Sequence, residues 1–379
     1  MKTVSEGGVL QCTYSYDANG NRQMLINNVN GVTTVYTYNL ANMLKTLITL
    51  KGEATTLSSY SYTYQLDGNQ TSKKDQSGKT TTYVYDGLGR LTSESEQYTT
   101  TTPPANATII NTNTYDYDAS NNRVNMTSYS TKNGVISSSS ATSYVYDANN
   151  RLTTTTETAG TTVTTTYTYD NNGNTLTKTA GGTSEVYQYD VMNRMVYSSA
   201  NGATATYKYR ADGLRYSKTA SGVETAHIWD GSNIIGDVVN GAVNATYVRG
   251  INLIAAKAGS TFTYYLYNGH GDVTGLANSS GTVTKSYDYD AFGNEKNPDP
   301  NDQNNFRYCG EYYDKETKTV YLRSRLTARM LTEDTVRSVS HKMMNDTEII
   351  DPLSLNLYAY CESEWIAHFN WNYHFFVLK

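Results

Sequence analysis

The sequence predicts an all-β fold, and three observations support this prediction: the composition, a recurring tyrosine–aspartate phrase, and the turn residues within and between its copies. Tyr accounts for 36 of the 379 residues and Gly for 28, whereas Pro accounts for only five. Tyr and Thr favour strands, and an aromatic content of 12% is too high for a solvated coil. A helical bundle, a coiled coil or a Rossmann-type enzyme needs Ala/Leu-rich helices or long Val/Ile strands, so the composition excludes these classes.

The charges and cysteines exclude several further classes of function. The net charge of −5 comes from dispersed residues and forms no basic patch, so nucleic acid is not an expected partner. Cys12, Cys309 and Cys361 lie far apart and give neither a disulfide framework nor a zinc spacing. No P-loop, nucleophile elbow or Cys–His pairing is visible, and we expect no cofactor. We find neither a signal peptide nor a run of about 18 apolar residues, so we expect no membrane span.

One short phrase, Tyr-x-Tyr-Asp-x-x-Gly/Asn-x-Arg, recurs along the first part of the chain. The clearest copies begin at Tyr14, Tyr83 and Tyr144, and the intervals between first tyrosines run from 20 to 32 residues. The nine copies begin at Tyr14, Tyr36, Tyr62, Tyr83, Tyr115, Tyr144, Tyr167, Tyr187 and Tyr207.

Each copy predicts one β-hairpin. The two tyrosines are two residues apart and therefore lie on the same face of a strand. The Asp caps a turn in which Gly or Asn supplies the positive φ, and the Arg and a following Leu begin the return strand. A second turn, such as Asn201-Gly202, ends the unit. Since a lone hairpin is marginal, successive hairpins must pair edge to edge into a long, twisted, curled sheet with stacked tyrosines. The predicted structural residues are Tyr14, Tyr16, Asp17, Tyr83, Tyr85, Asp86, Gly89, Arg90, Tyr144, Tyr146, Asp147, Arg151, Tyr167, Tyr169, Asp170, Gly173, Tyr187, Tyr189, Asp190 and Arg194.

The pattern divides the chain into three segments. Residues 1–225 form the hairpin array, residues 226–361 form a second domain richer in branched aliphatic residues, and residues 362–379 form an aromatic tail. Val336, Val339 and Met343 at helical spacing predict one short helix near the C-terminus.

The repeats and five later motifs resemble a known bacterial family. The phrases YLYNGHGDV, YDYDAFGN, FRYCGEYYD, YLRSR and NLYAYC between residues 265 and 361 are similar to the core domain associated with Rhs repeats. The repeats themselves resemble the Rhs/YD-repeat family of wall-associated proteins and Tc-toxin C components. This resemblance implies an all-β spiral that closes into a hollow shell around a C-terminal toxin. It also implies an aspartyl autoprotease in the core and a location outside the cell or on the bacterial surface.

The resemblance implies catalytic roles for Asp314, Asp334 and Arg329. Two close carboxylates can share one proton, so that one activates a nucleophile, and the arginine supports the charge. However, the family's Tyr-Tyr-Asp-Pro stretch is missing after residue 325, and no Asn-Pro…Asp-Pro-x-Gly segment follows Cys361. We therefore expect a C-terminally degenerate or truncated member that has lost self-cleavage, with Asp314 beginning a turn.

Three functions follow as hypotheses. The first is a structural shell segment that encloses or presents a toxin that is absent from this chain, with its own or neighbouring YD-repeat or toxin segments as partners. The second is an extracellular module that binds carbohydrate or a cell surface, because tyrosine rings can stack on a pyranose. The third is a residual aspartyl autoprotease. Open sheet edges also predict self-association. We expect no metal site, since His368 and His374 lack further ligands and residues 299–302 lack a calcium loop's Gly and final Glu.

Overall fold

The computed structural model describes residues 1–52, 54–100 and 107–323, together with the backbone of residues 326–327. This part of the chain is all-β, and tandem antiparallel hairpins build it, so the predicted fold class is confirmed. The predicted helix at residues 336–343 and the aromatic tail lie outside the described residues. No helix among those residues is long and apolar enough to cross a bilayer.

Among the described residues, strands β1–β26 belong to one sheet and β27–β29 to a second. The strands are β1 Thr3–Glu6, β2 Val9–Tyr16, β3 Arg22–Asn27, β4 Val32–Tyr38, β5 Leu44–Lys51, β6 Thr55–Tyr64, β7 Gln70–Asp75, β8 Thr80–Tyr85, β9 Leu91–Thr99, β10 Thr108–Tyr117, β11 Arg123–Lys132, β12 Val135–Tyr146, β13 Leu152–Ala159, β14 Thr161–Tyr169, β15 Thr175–Ala180, β16 Thr183–Tyr189, β17 Met195–Ala200, β18 Ala203–Tyr209, β19 Arg215–Ala220, β20 Val223–Asp230, β21 Asn233–Val239, β22 Ala242–Arg249, β23 Leu253–Ala258, β24 Thr261–Tyr267, β25 Val273–Ala277, β26 Val283–Ser286, β27 Tyr312–Asp314, β28 Thr319–Tyr321 and β29 Leu326–Thr327. A 3₁₀ turn, Tyr308–Gly310, precedes β27.

The chain forms two compact units. The first contains Met1–Tyr83 and His227–Glu311, and the second contains Val84–Ala226 and the described residues from Tyr312 onward. In the first unit, a core cluster joins Cys12 and Tyr14 of β2 to Ile254 and Tyr264 of β23 and β24. The division at residues 225 and 361 that the repeat pattern suggested stays a prediction.

In the copies that contain it, the aspartate of the phrase organises the turn between two strands. In the first copy, one carboxylate oxygen of Asp17 accepts hydrogen bonds from the backbone N–H groups of Asn19 and Asn21, at 2.9 and 2.8 Å. Gly20 has φ +83° and its N–H bonds to the Asp17 carbonyl. This is a type I turn followed by a left-handed residue, which Gly and Asn adopt with least strain. The same two backbone bonds recur at Asp86, Asp118, Asp147, Asp170, Asp190 and Asp290.

The second tyrosine of the phrase couples one hairpin to the hairpin before it. Its hydroxyl donates to the backbone carbonyl of the first residue in the preceding return strand, as Tyr117 does to Leu91 at 2.8 Å. A β-bulge lies next to this tyrosine in each such strand, for example between Asp116 and Tyr117, and the sequence pattern did not reveal it. The bond is present, at 2.7–3.0 Å, in the pairs Tyr38–Arg22, Tyr64–Leu44, Tyr117–Leu91, Tyr146–Arg123, Tyr169–Leu152, Tyr209–Met195, Tyr267–Leu253 and Tyr289–Val273.

Candidate functional site

The residues predicted to build the repeat occupy the turns and strands of the hairpins. The first tyrosines Tyr14 and Tyr187 are buried, whereas Tyr83, Tyr144 and Tyr167 are half-buried. The arginine that follows the turn points back to the aspartate, as in the Arg90 to Asp86 bond of 2.7 Å. Its guanidinium also lies over a tyrosine ring of the next hairpin, as Arg90 does over Tyr117 at 4.9 Å. Tyrosine, aspartate and arginine therefore hold the wall together.

Asp314 lies in a buried cluster of charges in the second unit. Arg215 donates to one of its carboxylate oxygens at 2.7 Å, and Lys218 donates to the other at 2.9 Å. Lys218 also reaches Glu316 at 3.1 Å, and Glu316 accepts a hydrogen bond from Tyr207. Asp314 and Arg215 are both fully buried. We call Arg215, Lys218, Asp314 and Glu316 the ion cluster.

The ion cluster anchors the strand pair β27–β28 to β18 and β19. The Arg215 guanidinium lies 4.0 Å above the centre of the Tyr321 ring, while the Tyr321 hydroxyl accepts from the backbone N–H of Arg215 at 2.9 Å. Burial of Asp314 opposes its charge, but Arg215 and Lys218 outweigh that cost and lower its pKa to about 2. Asp314 is therefore an ionised acceptor at neutral pH.

The geometry at Asp314 bears on the predicted catalytic group. Both of its oxygens are occupied by cations, so it holds no proton to share with a second carboxylate. Asp334 and Arg329, the other two predicted members, lie outside the described residues. The catalytic assignment of Asp314, Asp334 and Arg329 therefore stays a prediction, as does the loss of self-cleavage.

A cavity of about 360 Å³ lies in the first unit, between hairpins from its two chain segments. Its wall includes rings of Tyr60, Tyr62 and Tyr289 beside the charged groups of Lys79 and Asp288, which pair at 2.6 Å. Sequence reasoning missed this cavity because its wall combines residues about 200 positions apart. Further wall residues are Tyr64, Lys73, Asp75, Asn268, His270, Asp272 and Tyr308.

A histidine and an aspartate of this cavity wall lie close to a cysteine. His270 Nδ1 lies 2.9 Å from Asp272 Oδ1 and 4.0 Å from Cys309 Sγ. Burial opposes a charged imidazole, yet Asp272 and Cys309 raise the pKa of His270 well above its ordinary value. Burial also raises the pKa of the Cys309 thiol, although His270 opposes that shift. The expectation that the chain has no Cys–His pairing is therefore wrong, since 39 residues separate two groups that the fold brings together.

Comparisons with known proteins bear on the repeat and on the fold. The family model described as RHS Repeat matches residues 64–102. The tRNA3(Ser)-specific nuclease WapA of Bacillus spizizenii is 29% identical over 273 residues, which are 70% of this chain and 9% of that protein. The tRNA nuclease WapA of Bacillus subtilis (strain 168) is 29% identical over 272 residues, with the same two coverages. The chain thus spans about a tenth of the length of these curated relatives.

Two solved structures share the fold. The crystal structure of TcdB2-TccC3-TEV aligns with 96% of this chain and 19% of its own, at a TM-score of 0.62 and 16% identity. The Photorhabdus luminescens Tc holotoxin pore aligns with 94% of this chain and 19% of its own, at a TM-score of 0.57 and 16% identity. At these identities the likeness is one of fold.

The repeated turn, the tyrosine–carbonyl bonds and these likenesses define a class: an all-β protein of tandem antiparallel hairpins. More narrowly, its repeats are similar to those of the Rhs/YD-repeat family, whose repeat model matches residues 64–102.

Proposed function

We propose that this chain is a structural shell segment of a toxin-type Rhs/YD-repeat protein, and that its task is to enclose or present a toxin polypeptide. The observation that carries this proposal is that the repeated side chains bond to the protein's own hairpins. The tyrosine hydroxyls, the aspartates and the arginines bond to the same or the next hairpin, so that they build a wall. The proposal extends to a location outside the cell or on the bacterial surface, and to its own or neighbouring YD-repeat or toxin segments as partners.

Protection of a cargo from proteolysis tests the enclosing role. An unfolded, protease-sensitive reporter is fused after Lys379, and its cleavage rate is compared with that of the same reporter fused to an unrelated globular protein of similar size. We expect the reporter to be cleaved at least about tenfold more slowly behind this chain, because a wall excludes the protease. Equal cleavage rates would show that the chain encloses nothing.

The tyrosine-lined cavity of the first unit favours a second candidate, carbohydrate binding. Tyr60 and Tyr62 present stacked rings with centroids 6.3 Å apart, and Lys73 and Asp75 stand on the same wall. Sugar-binding sites usually combine the faces of aromatic rings with polar groups around them. A glycan array probed with the wild type, Tyr60→Ala and the control Tyr216→Ala tests this candidate. Binding that Tyr60→Ala alone abolishes supports it, and absence of binding to every polysaccharide rejects it.

A further inference from the structure

Three metal-binding side chains of different chemistry converge in the first unit. His270 and Asp272 lie in the loop between β24 and β25, and Cys309 lies in the 3₁₀ turn before β27. One potential ligand atom from each residue can be chosen so that all three lie within 4.8 Å of one another. We refer to these three residues as the HDC cluster.

We propose that the HDC cluster is a zinc site, bound through His270 Nδ1, a carboxylate oxygen of Asp272 and Cys309 Sγ. Tetrahedral Zn²⁺ with ordinary bond lengths places an N and an O ligand about 3.4 Å apart and an N and an S ligand about 3.6 Å apart. The corresponding distances in the cluster are 2.9 and 4.0 Å. A shift of about half an ångström in the imidazole moves both distances toward these values. The third pair, the Asp272 oxygen and Cys309 Sγ, lies within 4.8 Å and must close to about 3.6 Å when the ion binds.

The surrounding hydrogen bonds hold the ligands in place before an ion arrives. Asn268 Nδ2 donates to Asp272 Oδ2 at 2.7 Å, which leaves Oδ1 turned toward the histidine. Asn268 Oδ1 also accepts from the backbone N–H groups of His270 and Asp272, both at 3.0 Å. The backbone N–H of Cys309 donates to Asp272 Oδ1 at 3.1 Å, and Cys309 itself adopts a left-handed φ of +52°. Outer hydrogen bonds of this kind orient metal ligands and strengthen binding.

The chemistry of the three ligands selects the metal. Imidazole and thiolate are preferred by Zn²⁺, whereas Ca²⁺ and Mg²⁺ prefer oxygen ligands throughout. Three protein ligands leave one tetrahedral position for water or another small ligand. His270 and Asp272 line the tyrosine-walled cavity, so that position can be reached from it.

The site has a clear structural consequence within the first unit. It joins the 3₁₀ turn that contains Cys309 to a loop 39 residues earlier in the chain. An ion that binds the native state and not the unfolded chain stabilises the native state by mass action. Bound zinc therefore stabilises the packing of this 3₁₀ turn against that loop.

Cobalt substitution tests the proposal directly. The full chain is freed of metal with a chelator and titrated with Co²⁺, and the near-ultraviolet thiolate-to-cobalt band and the visible bands of tetrahedral cobalt are recorded. We expect saturation near one equivalent, displacement by Zn²⁺ and a zinc-dependent rise in the unfolding temperature. Cys309→Ala should lose the thiolate band and bind at least about tenfold more weakly. The controls Cys12→Ala and Cys361→Ala should keep the band.

Other results of the titration would contradict the proposed zinc site. Absence of a thiolate band in the wild type, or a band that survives in Cys309→Ala, shows that this cysteine holds no ion. A band lost in Cys361→Ala and kept in Cys309→Ala assigns the ion to another part of the chain. If circular dichroism shows that Cys309→Ala is unfolded, His270→Gln decides the question, because an intact affinity there excludes the cluster.

Discussion

Arg215 and Asp314 form an ion pair of 2.7 Å in which neither side chain is exposed to solvent. The two residues are 99 positions apart, and the pair joins a repeat strand, β19, to the end of β27. Lys218 closes the group from the same strand, with its ammonium 2.9 Å from the other Asp314 oxygen. A buried charge of this kind is stabilised only by its partners, so removing one partner is costly.

Asp314→Asn should therefore destabilise the protein strongly. The amide has nearly the same shape but no charge, so Arg215 stays buried without its counter-ion. We expect the free energy of unfolding to fall by about 3–5 kcal/mol in urea denaturation. Glu224→Gln is the matched control, since its pair with Lys208 is exposed and should contribute far less to stability than the buried pair. Equal losses in the two variants would contradict the anchoring role.

The same residue should make stability depend on acid pH. Its pKa is lowered from 3.8 in the unfolded chain to about 2 in the native state. The stabilisation from its charge is thus complete above about pH 4 and is lost as pH falls toward 2. We expect the gap in urea midpoint between the wild type and Asp314→Asn to narrow over this interval. A gap that stays constant from pH 7 to pH 2 would show that Asp314 is not the titrating group.

The intact mass of the purified chain should remain 42.0 kDa. Asp314 carries two cation partners and no proton, and we expect it to act as a structural anion in place of a protease group. Mass spectrometry of the wild type beside Asp314→Asn checks this. If the wild type were shortened and the variant intact, the result would support the autoprotease hypothesis, and the mass of the shortened chain would locate the cleaved bond.

Tyr117→Phe should weaken the coupling between neighbouring hairpins. The change removes the hydroxyl that bonds the Leu91 carbonyl at 2.8 Å and keeps the ring beneath Arg90. We expect a loss of about 0.5–1.5 kcal/mol in urea unfolding. Tyr216 has a half-exposed ring, so Tyr216→Phe should change stability little. A similar loss of stability in Tyr216→Phe would contradict a special role for the tyrosine–carbonyl bond.

Gly20→Ala and Gly87→Ala should differ although both lie in equivalent turns. No atom stands within 4 Å of a Cβ added at either position, so crowding plays no part. Gly20 has φ +83°, which should cost alanine about 1–2 kcal/mol, whereas Gly87 is not left-handed and should tolerate alanine. Thermal unfolding compares them. Gly20→Asn should recover most of the loss, because Asn150 adopts this conformation in its own turn; equal effects of the two alanines would contradict the turn assignment.

The sequence predicted what lies within one hairpin and missed what lies between hairpins. The Asp turn and the left-handed Gly or Asn depend only on neighbouring residues, so the roles of residues such as Asp17 and Gly20 could be predicted from the sequence. The paired turn Asn201-Gly202 has positive φ at both residues, as its composition suggested. By contrast, the acceptor of each tyrosine hydroxyl depends on the bulge and on how hairpins stack. Arg215 reads as an ordinary repeat residue, and its buried partner is set only by the tertiary fold. The same holds for His270 and Cys309.

The tyrosine–carbonyl bond has a direction along the chain. In every described case the carbonyl belongs to residues that a ribosome makes before the tyrosine, as Leu91 precedes Tyr117. This bond therefore needs nothing that has yet to be translated, whereas the core cluster of the first unit also requires later residues such as Ile254 and Tyr264. These tyrosine–carbonyl bonds can therefore form one hairpin after another while the chain is being translated.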